Sequence, residues 1–268
     1  MQAETILELL PYHCVEHHEQ VDQATVQQLL KKYDKGLFVL PTEHSTVDDL
    51  KGFLELGAQL VLEHSGQRSY SLSSSDRNEL ILAGKERVFL KGYSDGHCQV
   101  FLNAGASLLV DGHDTQLSIA SIAQLCRQPR SGHIKLVPHG FTHLRRLELL
   151  RRKVGMVFLR KQGQLTYPVA ELSALAEAGK QKVVISASDY APTEALALLR
   201  KGATLILAGD TSMSRAVFEQ DVFNGASAAE RTRIHILPRF GPLLKRQELK
   251  AMAQDLGLPL IQPSGLFN

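Results

Sequence analysis

Short runs of Val, Ile, Leu and Phe recur along the chain, each closed by a polar or glycine-rich turn. They fall at Gly36–Leu40, Gln59–Leu62, Arg87–Leu90, Ser107–Val110 and Ile134–Val137, then at Met156–Leu159, Lys182–Ser186, Thr204–Leu207, Ile234–Leu237 and Leu258–Ile261. Polar residues do not alternate with the apolar ones inside these runs, which predicts strands buried on both faces of a parallel sheet. Between them, Asp48–Leu56, Leu144–Arg152, Val169–Ala178 and Pro192–Arg200 space their apolar residues near the helical period and are rich in good helix formers. The segment NELILAG also reads as a helix, with Ser75 or Asp76 as its cap. Strand and helix in turn predict an α/β fold with right-handed crossovers.

Three stretches share one design: GAQLVLEHS from Gly57, GASLLVDGHD from Gly105 and GATLILAGDTS from Gly202. A glycine ends a helix, an alanine leads into a strand, and a polar turn follows; glycine suits the left-handed cap. A weaker copy, KVGMVFLRKQGQ, starts at Lys153. Gly57 and Gly105 are 48 residues apart, and Gly105 and Gly202 are 97 apart, about twice as far. Internal duplication and the ordinary size of a strand–helix unit both account for this spacing.

Ten runs suit two tandem receiver-like or Rossmann-like units of mostly parallel sheet. The length suits a single (βα)8 barrel as the alternative, although ten strands fit the tandem units better. On the tandem reading, residues 1–34 form a helical cap, 35–131 a first α/β unit and 132–268 a second, with the border near Gln128–Gly132.

Composition narrows the function classes. Hydrophobic residues make up 44% and charged residues 22%, enough apolar material for a core. Lys and Arg number 30 against 28 Asp and Glu, a net charge of +2, which predicts no nucleic-acid partner. No apolar run is long enough to span a membrane, and the acidic, His-rich start is unlike a signal peptide, so a cytoplasmic location is expected. Cys14, Cys98 and Cys126 are isolated thiols without metal-binding or disulfide spacing. Nothing calls for a cofactor.

Ligands of parallel α/β folds bind at the carboxyl ends of the strands. Those positions carry Glu43, His44, Glu63, His64, Asp95, His97, Asp111, His113 and Asp114. Further along they carry His139, His143, Arg160, Lys161, Ser188, Asp189, Asp210, Thr211 and Arg239. Acids and histidines converging there would form a metal or acid–base site, although loops are polar by default. In PHGFTH, His139 and His143 would share one helix face as a two-ligand metal arrangement, with Asp111 as a third candidate. This HxxxH is similar to part of the zinc site of polysaccharide-deacetylase-type barrels, whose acidic pair has no counterpart here, since Asp48–Asp49 opens a helix. The cluster His13, Cys14, Glu16, His17, His18 and Glu19 has metal-binding residue types and also suits a solvated helix. No Walker-type, dinucleotide or nucleophile-elbow motif is present. In AGDTSMS (Ala208–Ser214), backbone amides beside Asp210 and Thr211 could hold an anion, or Thr211 or Ser212 could simply cap a helix.

From about Gly155 to Leu244 the order MVFLRK, VAELSALAEAG, KVVISASD, PTEALALLRKGA, TLILA resembles the C-terminal part of a response-regulator receiver domain. In that register Arg160 stands at the phosphoacceptor position and Gly209 near the conserved lysine; a register counted from Ile134 puts Asp189 at the acceptor instead. Either way the phosphotransfer set is incomplete. More narrowly, the stretch is similar to the degenerate receiver of the cyclic-di-GMP-sensing accessory family of bacterial cellulose secretion. That family binds its dinucleotide through an RxGD motif, whereas the nearest string here is Arg130-Ser-Gly-His133. The resemblance implies a non-catalytic regulatory or scaffolding protein with a protein partner or a nucleotide ligand, for which Arg127, Arg130, Asp189, Asp210 and Thr211 are the candidate contacts. The alternative is a metal-dependent (βα)-barrel enzyme that uses the acid and histidine groups at the strand ends.

Overall fold

The computed structural model describes residues 13–16, 21–32, 37–64, 72–112, 115–127, 134–158, 167–208, 211–238 and 243–261. The chain divides into two compact units, residues 1–140 and 141–268. In the first, β1 (His13–Glu16), β2 (Leu37–Leu40), β3 (Gln59–Glu63), β4 (Val88–Lys91), β5 (Ser107–Asp111) and β6 (Ile134–Val137) form one sheet in chain order, with every neighbouring pair parallel. Helices α1 (Gln23–Lys32), α2 (Val47–Leu56), α3 (Ser74–Gly84), α4 (Asp95–Ala104) and α5 (Ile119–Leu125) make the crossovers. The second unit begins with α6 (His143–Arg151) and has a four-stranded parallel sheet. Its strands, also in chain order, are β7 (Met156–Phe158), β8 (Val183–Ser186), β9 (Thr204–Ala208) and β10 (Ile234–Leu237). They are joined by α7 (Val169–Gly179), α8 (Pro192–Arg200), a short turn of helix α9 (Arg215–Val217) running into a π-helical stretch, and α10 (Ala228–Arg231); α11 (Leu243–Leu256) follows. Among the described residues no helix is long and apolar enough to cross a membrane.

The α/β class and the parallel sheets agree with the sequence pattern; several details differ from it. Receiver and Rossmann sheets reverse direction after an early strand, whereas both sheets here add strands in sequence. That singly wound order is consistent with the (βα)-barrel alternative. Residues 13–16 are a strand, where a purely helical cap was expected. The run at Leu258–Ile261 contributes only a bridge, Leu260 to Ile236. Ile134–Val137 pairs with β5 and so closes the first sheet, and the units divide after Gly140, not near Gln128–Gly132. The helix at NELILAG is capped by Ser73, whose hydroxyl accepts the Asp76 amide at 3.1 Å while Asp76 accepts the Ser73 amide at 2.8 Å.

Strand register separates two faces of the first sheet. Glu63 lies opposite Lys91, and Lys91 opposite Leu109, so Val61, Glu63, Phe89, Lys91, Leu109 and Asp111 share one face. The other face is aliphatic, with Leu60, Leu62, Val88, Leu90, Leu108 and Val110 all buried. Helices lie on that aliphatic face: a Cβ on Gly84 of α3 would come within 2.6 Å of Val88 Cγ2 and 2.7 Å of Leu54 Cδ2. On the opposite face Phe38 and Phe89, two strands apart, meet over β3 with ring centroids 5.1 Å apart.

The segment β2 to β5 recurs as β6 to β9. Thr46 caps α2 and Thr142 caps α6. Leu54 and Leu150 each crowd the glycine that ends the next helix, Gly84 in one repeat and Gly179 in the other. After those glycines Lys85 (φ 47, ψ −123) and Lys180 (φ 49, ψ −133) share an unusual backbone conformation. The Ser107 hydroxyl donates to the Glu86 carbonyl at 2.7 Å, and the Thr204 hydroxyl to the Gln181 carbonyl at 3.3 Å. Gly57, Gly105, Lys153, Gly202 and Gly257 all cap helices in the left-handed region, each with the next residue's amide bonded back into the helix. Matches of this number and kind, all 95 to 97 residues apart, make the chain an internal repeat.

Candidate active site

At the carboxyl ends of β3, β4 and β5 three opposite charges meet below the surface. Lys91 is 2% exposed, and its Nζ lies 3.3 Å from Glu63 Oε1 and 3.7 Å from Asp111 Oδ2. The Asp111 side chain is fully buried and that of Glu63 is nearly so. The parallel register brings them together, since each is the last residue of its strand and all three share one face. Immediately after Lys91 the chain turns through Gly92 (φ 77), and the His64 amide donates to the Lys91 carbonyl at 2.8 Å, which extends the β3–β4 ladder past the site. The turn directs Tyr93 inward, where the His64 ring stacks on it at 4.7 Å and Phe101 meets it edge-on at 5.2 Å. Burial pushes the Tyr93 phenol above its usual range, partly offset by the nearby Arg77 guanidinium, so it stays protonated.

Among the described residues, the second repeat has no such charges. Ser186 occupies the Lys91 position and Ala208 the Asp111 position, as the shared glycine and lysine turns align them. The corresponding face there is an apolar cluster of Val157, Ile206, Ala208 and Leu237, with Val184 against it. Among the described residues, the scaffold therefore stands without ionic groups on this face of the second sheet. A buried ion pair of this kind is often no more stabilising than apolar residues of like volume.

Of the residues expected from sequence, Glu63 and Asp111 belong to this site and His64 to its rim. Lys91 was missed because it closes the run VFLK, where a final lysine reads as a strand end; a charge at the end of a run otherwise buried on both faces was the available signal. Glu43 and His44 lie on an exposed turn, 3.6 Å from each other. Asp95 accepts the Ser121 hydroxyl at 2.7 Å, and His97 Nδ1 is 2.9 Å from the Ser94 hydroxyl. The expected helical pair His139/His143 does not form: His139 is in the turn Pro138–Gly140, with its side chain outside the described residues, and His143 opens α6. His143 Nδ1 instead lies 3.3 Å from Glu171 Oε1, which Arg146 also bonds, and the Arg146 guanidinium rests 4.9 Å over the Tyr167 ring. Asp111, the third metal candidate, is committed to Lys91. Among the described residues no three His, Cys, Asp or Glu side chains are placed to share an ion.

Asp189 follows β8 in a half-buried turn, and the Ser186 and Ser188 hydroxyls beside it are 2.9 Å apart. Thr211 is buried, and its hydroxyl accepts the Met213 amide at 3.1 Å; the cap of α9 is Ser214, which corrects the expectation of Thr211 or Ser212. Arg127 is exposed in the turn that ends α5. Arg130, Asp210, His113, Asp114, Arg160, Lys161 and Arg239 lie outside the described residues, as do His17, His18, Glu19 and the side chains of β1. Burial pushes the Cys98 and Cys126 thiols up to about 11, so neither is a thiolate nucleophile at neutral pH.

No family model and no curated protein matches the chain. Three of the solved structures that resemble it are enzymes. Deoxyribose phosphate aldolase from Aeropyrum pernix, of tetrameric structure, has 14% identity and a TM-score of 0.29 over 72% of this chain and 82% of its own. A truncated 3-deoxy-D-arabino-heptulosonate 7-phosphate synthase from Thermotoga maritima has 10% identity and a TM-score of 0.32 over 93% and 89%. A dihydropteroate synthase from Coxiella burnetii has 11% identity and a TM-score of 0.26 over 95% and 86%. Scores this low carry no argument about chemistry, which rests on the strand order and the buried charges.

Proposed function

We propose that the protein is an enzyme of the (βα)-barrel class that moves protons on a small polar substrate at the carboxyl ends of β3, β4 and β5. What carries this reading is the burial of Lys91 between Glu63 and Asp111 where the matching face of the second repeat is apolar. In the proposed cycle the Lys91 ammonium gives a proton to a substrate oxygen, Glu63 or Asp111 accepts one from carbon, and that carboxylic acid passes its proton to the neutral Lys91 amine, which restores the ammonium and the carboxylate. Positioned proton transfer of this kind contributes roughly a hundred- to ten-thousand-fold in rate. The set is acid and lysine in place of acid and histidine, and the described residues offer no metal cluster to add to it. No specific observation favours the regulatory reading, whose receiver-like strand order is absent from both sheets.

Incubation in deuterated water with a panel of small carbonyl and carboxylate compounds, read by mass spectrometry, tests the proposal. Wild-type protein should wash deuterium into at least one carbon position, and Lys91→Met should not. A folded Lys91→Ser/Asp111→Ala variant, carrying the second repeat's residues, serves as the second control. Exchange that survives in both variants, or that wild type never supports, overturns the reading.

A further inference from the structure

The chain-wide charge of +2 is the difference between two unlike halves. Residues 1–140 hold 12 Lys and Arg against 17 Asp and Glu, whereas residues 141–268 hold 18 against 11. Much of the excess sits in the four turns that lead into β7, β8, β9 and β10: RRK at 151–153, KQK at 180–182, RK at 200–201 and RTR at 231–233. These strands are neighbours in that order, so the turns stand side by side along the amino-terminal edge of one sheet. Strands about 4.8 Å apart set the row at roughly 15 Å.

Cations at helix C-termini also answer the helix dipole, which would explain them without a partner. The first repeat keeps cations in only one matching turn, Lys85 and Arg87 before β4, and lacks them in the other two. There α2 ends at Leu56 and Gly57, and α4 at Asn103 and Ala104, with no basic residue in either last turn. Moreover, Lys153 holds the left-handed cap (φ 68) where the first repeat has Gly57, so a charge is kept at a position glycine suits better. Arg152 and Lys201 are engaged by Glu148 (3.0 Å) and Glu177 (2.6 Å), and the Arg200, Arg231 and Arg233 guanidiniums donate to backbone carbonyls. Arg151, Lys153, Lys180 and Lys182 are exposed, and among the described residues no acid lies within ion-pair distance of them.

We propose that this edge binds the phosphate backbone of double-stranded nucleic acid, against the expectation drawn from total charge. A single row of cations follows a linear track of phosphates. None of the four turns carries an aromatic residue to stack on bases, and among the described residues the exposed large apolar side chains, Leu82, Val100, Leu144, Val217, Leu244 and Leu260, all lie elsewhere. The contact is therefore electrostatic and indifferent to sequence. It does not depend on the chemistry at Lys91.

Fluorescence anisotropy with labelled mixed-sequence DNA and RNA duplexes tests it on the full chain. Wild type should bind at low salt, with an affinity that falls steeply as salt rises. The variant Lys153→Gly/Lys180→Gln/Lys182→Gln, in which glycine suits the cap, should keep its unfolding midpoint and lose about three units of the log–log salt slope. No duplex binding by wild type, or an unchanged slope in the variant, overturns the proposal. So does binding only to phosphatidylserine vesicles, or a salt-sensitive self-association that replaces duplex binding.

Discussion

Lys91 shows how far a single residue departs from what its surroundings require. With Glu63 and Asp111 packed against it, removing the ammonium leaves two buried carboxylates without their counter-charge. Lys91→Met should therefore lower stability by about 3–5 kcal/mol, measured by urea unfolding followed by circular dichroism. Lys91→Ser combined with Asp111→Ala should lose less, because one of the two carboxylates leaves with the ammonium and only Glu63 stays behind. If the double variant were the less stable, the site would be a structural necessity. His235 offers a pH test at the same scale. Burial holds its imidazole below the usual range, outweighing a bond to Thr232, so the unfolded chain binds the extra proton more readily. Its contribution is complete above the ordinary histidine range and is lost as pH falls through and below it, so His235→Gln should flatten stability between about pH 7.5 and pH 5. At this scale the sequence was half legible. Glu63 and Asp111 announced themselves as acids after apolar runs, whereas the pairing of His143 with Glu171 depends on which helices meet.

Among the elements, those with a strong local cause were readable. Nine aliphatic runs became strands because residues such as Val183–Ser186 satisfy both faces of a buried sheet. His13–Glu16 was missed because HCVE offers no such run and its pairing with β2 comes from the fold. Leu258–Ile261 fell short of a strand: Pro259 has no amide to donate, and the run makes a single bridge to β10, its Pro259 carbonyl accepting from the Ile236 amide and its Ile261 amide donating to the Ile236 carbonyl, each at 2.9 Å. Ser73 outcompeted Ser75 as cap because Asp76 stands three residues on, the spacing of a capping box. The turns after α3 and α7 carry the least expected backbone, with Lys85 and Lys180 at positive φ. Glycine accepts that conformation without the clash of a Cβ, so Lys85→Gly and Lys180→Gly should each stabilise the protein by about 1 kcal/mol. Thermal unfolding reads this directly, and a loss in either variant would show that the lysine side chain holds its turn.

For the whole molecule, the periodicity of a strand says nothing of its neighbours, so the receiver-like and barrel orders were both compatible with the sequence until the sequential pairing was seen. The duplication was half visible in Gly57, Gly105 and Gly202; the fourth copy, from Lys153, was fainter because a lysine replaces the glycine of the cap. A true repeat makes a prediction about energies as well as shapes. Where the repeats match, equivalent substitutions should cost alike. A methyl group on Gly84 meets Val88 and Leu54 at 2.6 and 2.7 Å, and one on Gly179 meets Leu150 and Val183 at 2.6 and 3.1 Å. Gly84→Ala and Gly179→Ala should each destabilise by about 1–3 kcal/mol through the same overpacking. Where the repeats differ, costs should part. Leu50, buried in α2, is answered by Arg146 in α6, and Lys91 by Ser186. Leu50→Ala should then open a cavity at about 2–5 kcal/mol, whereas Ser186→Ala, which gives up one hydroxyl contact to Ser188, should cost about 1 kcal/mol. Unfolding of these variants by urea, with amide exchange to locate each loss, separates the two classes. Equal costs at Gly84 and Gly179 with unequal costs at Lys91 and Ser186 would mean one scaffold used twice and charged once, and a Gly179→Ala variant as stable as wild type would break the correspondence on which that rests.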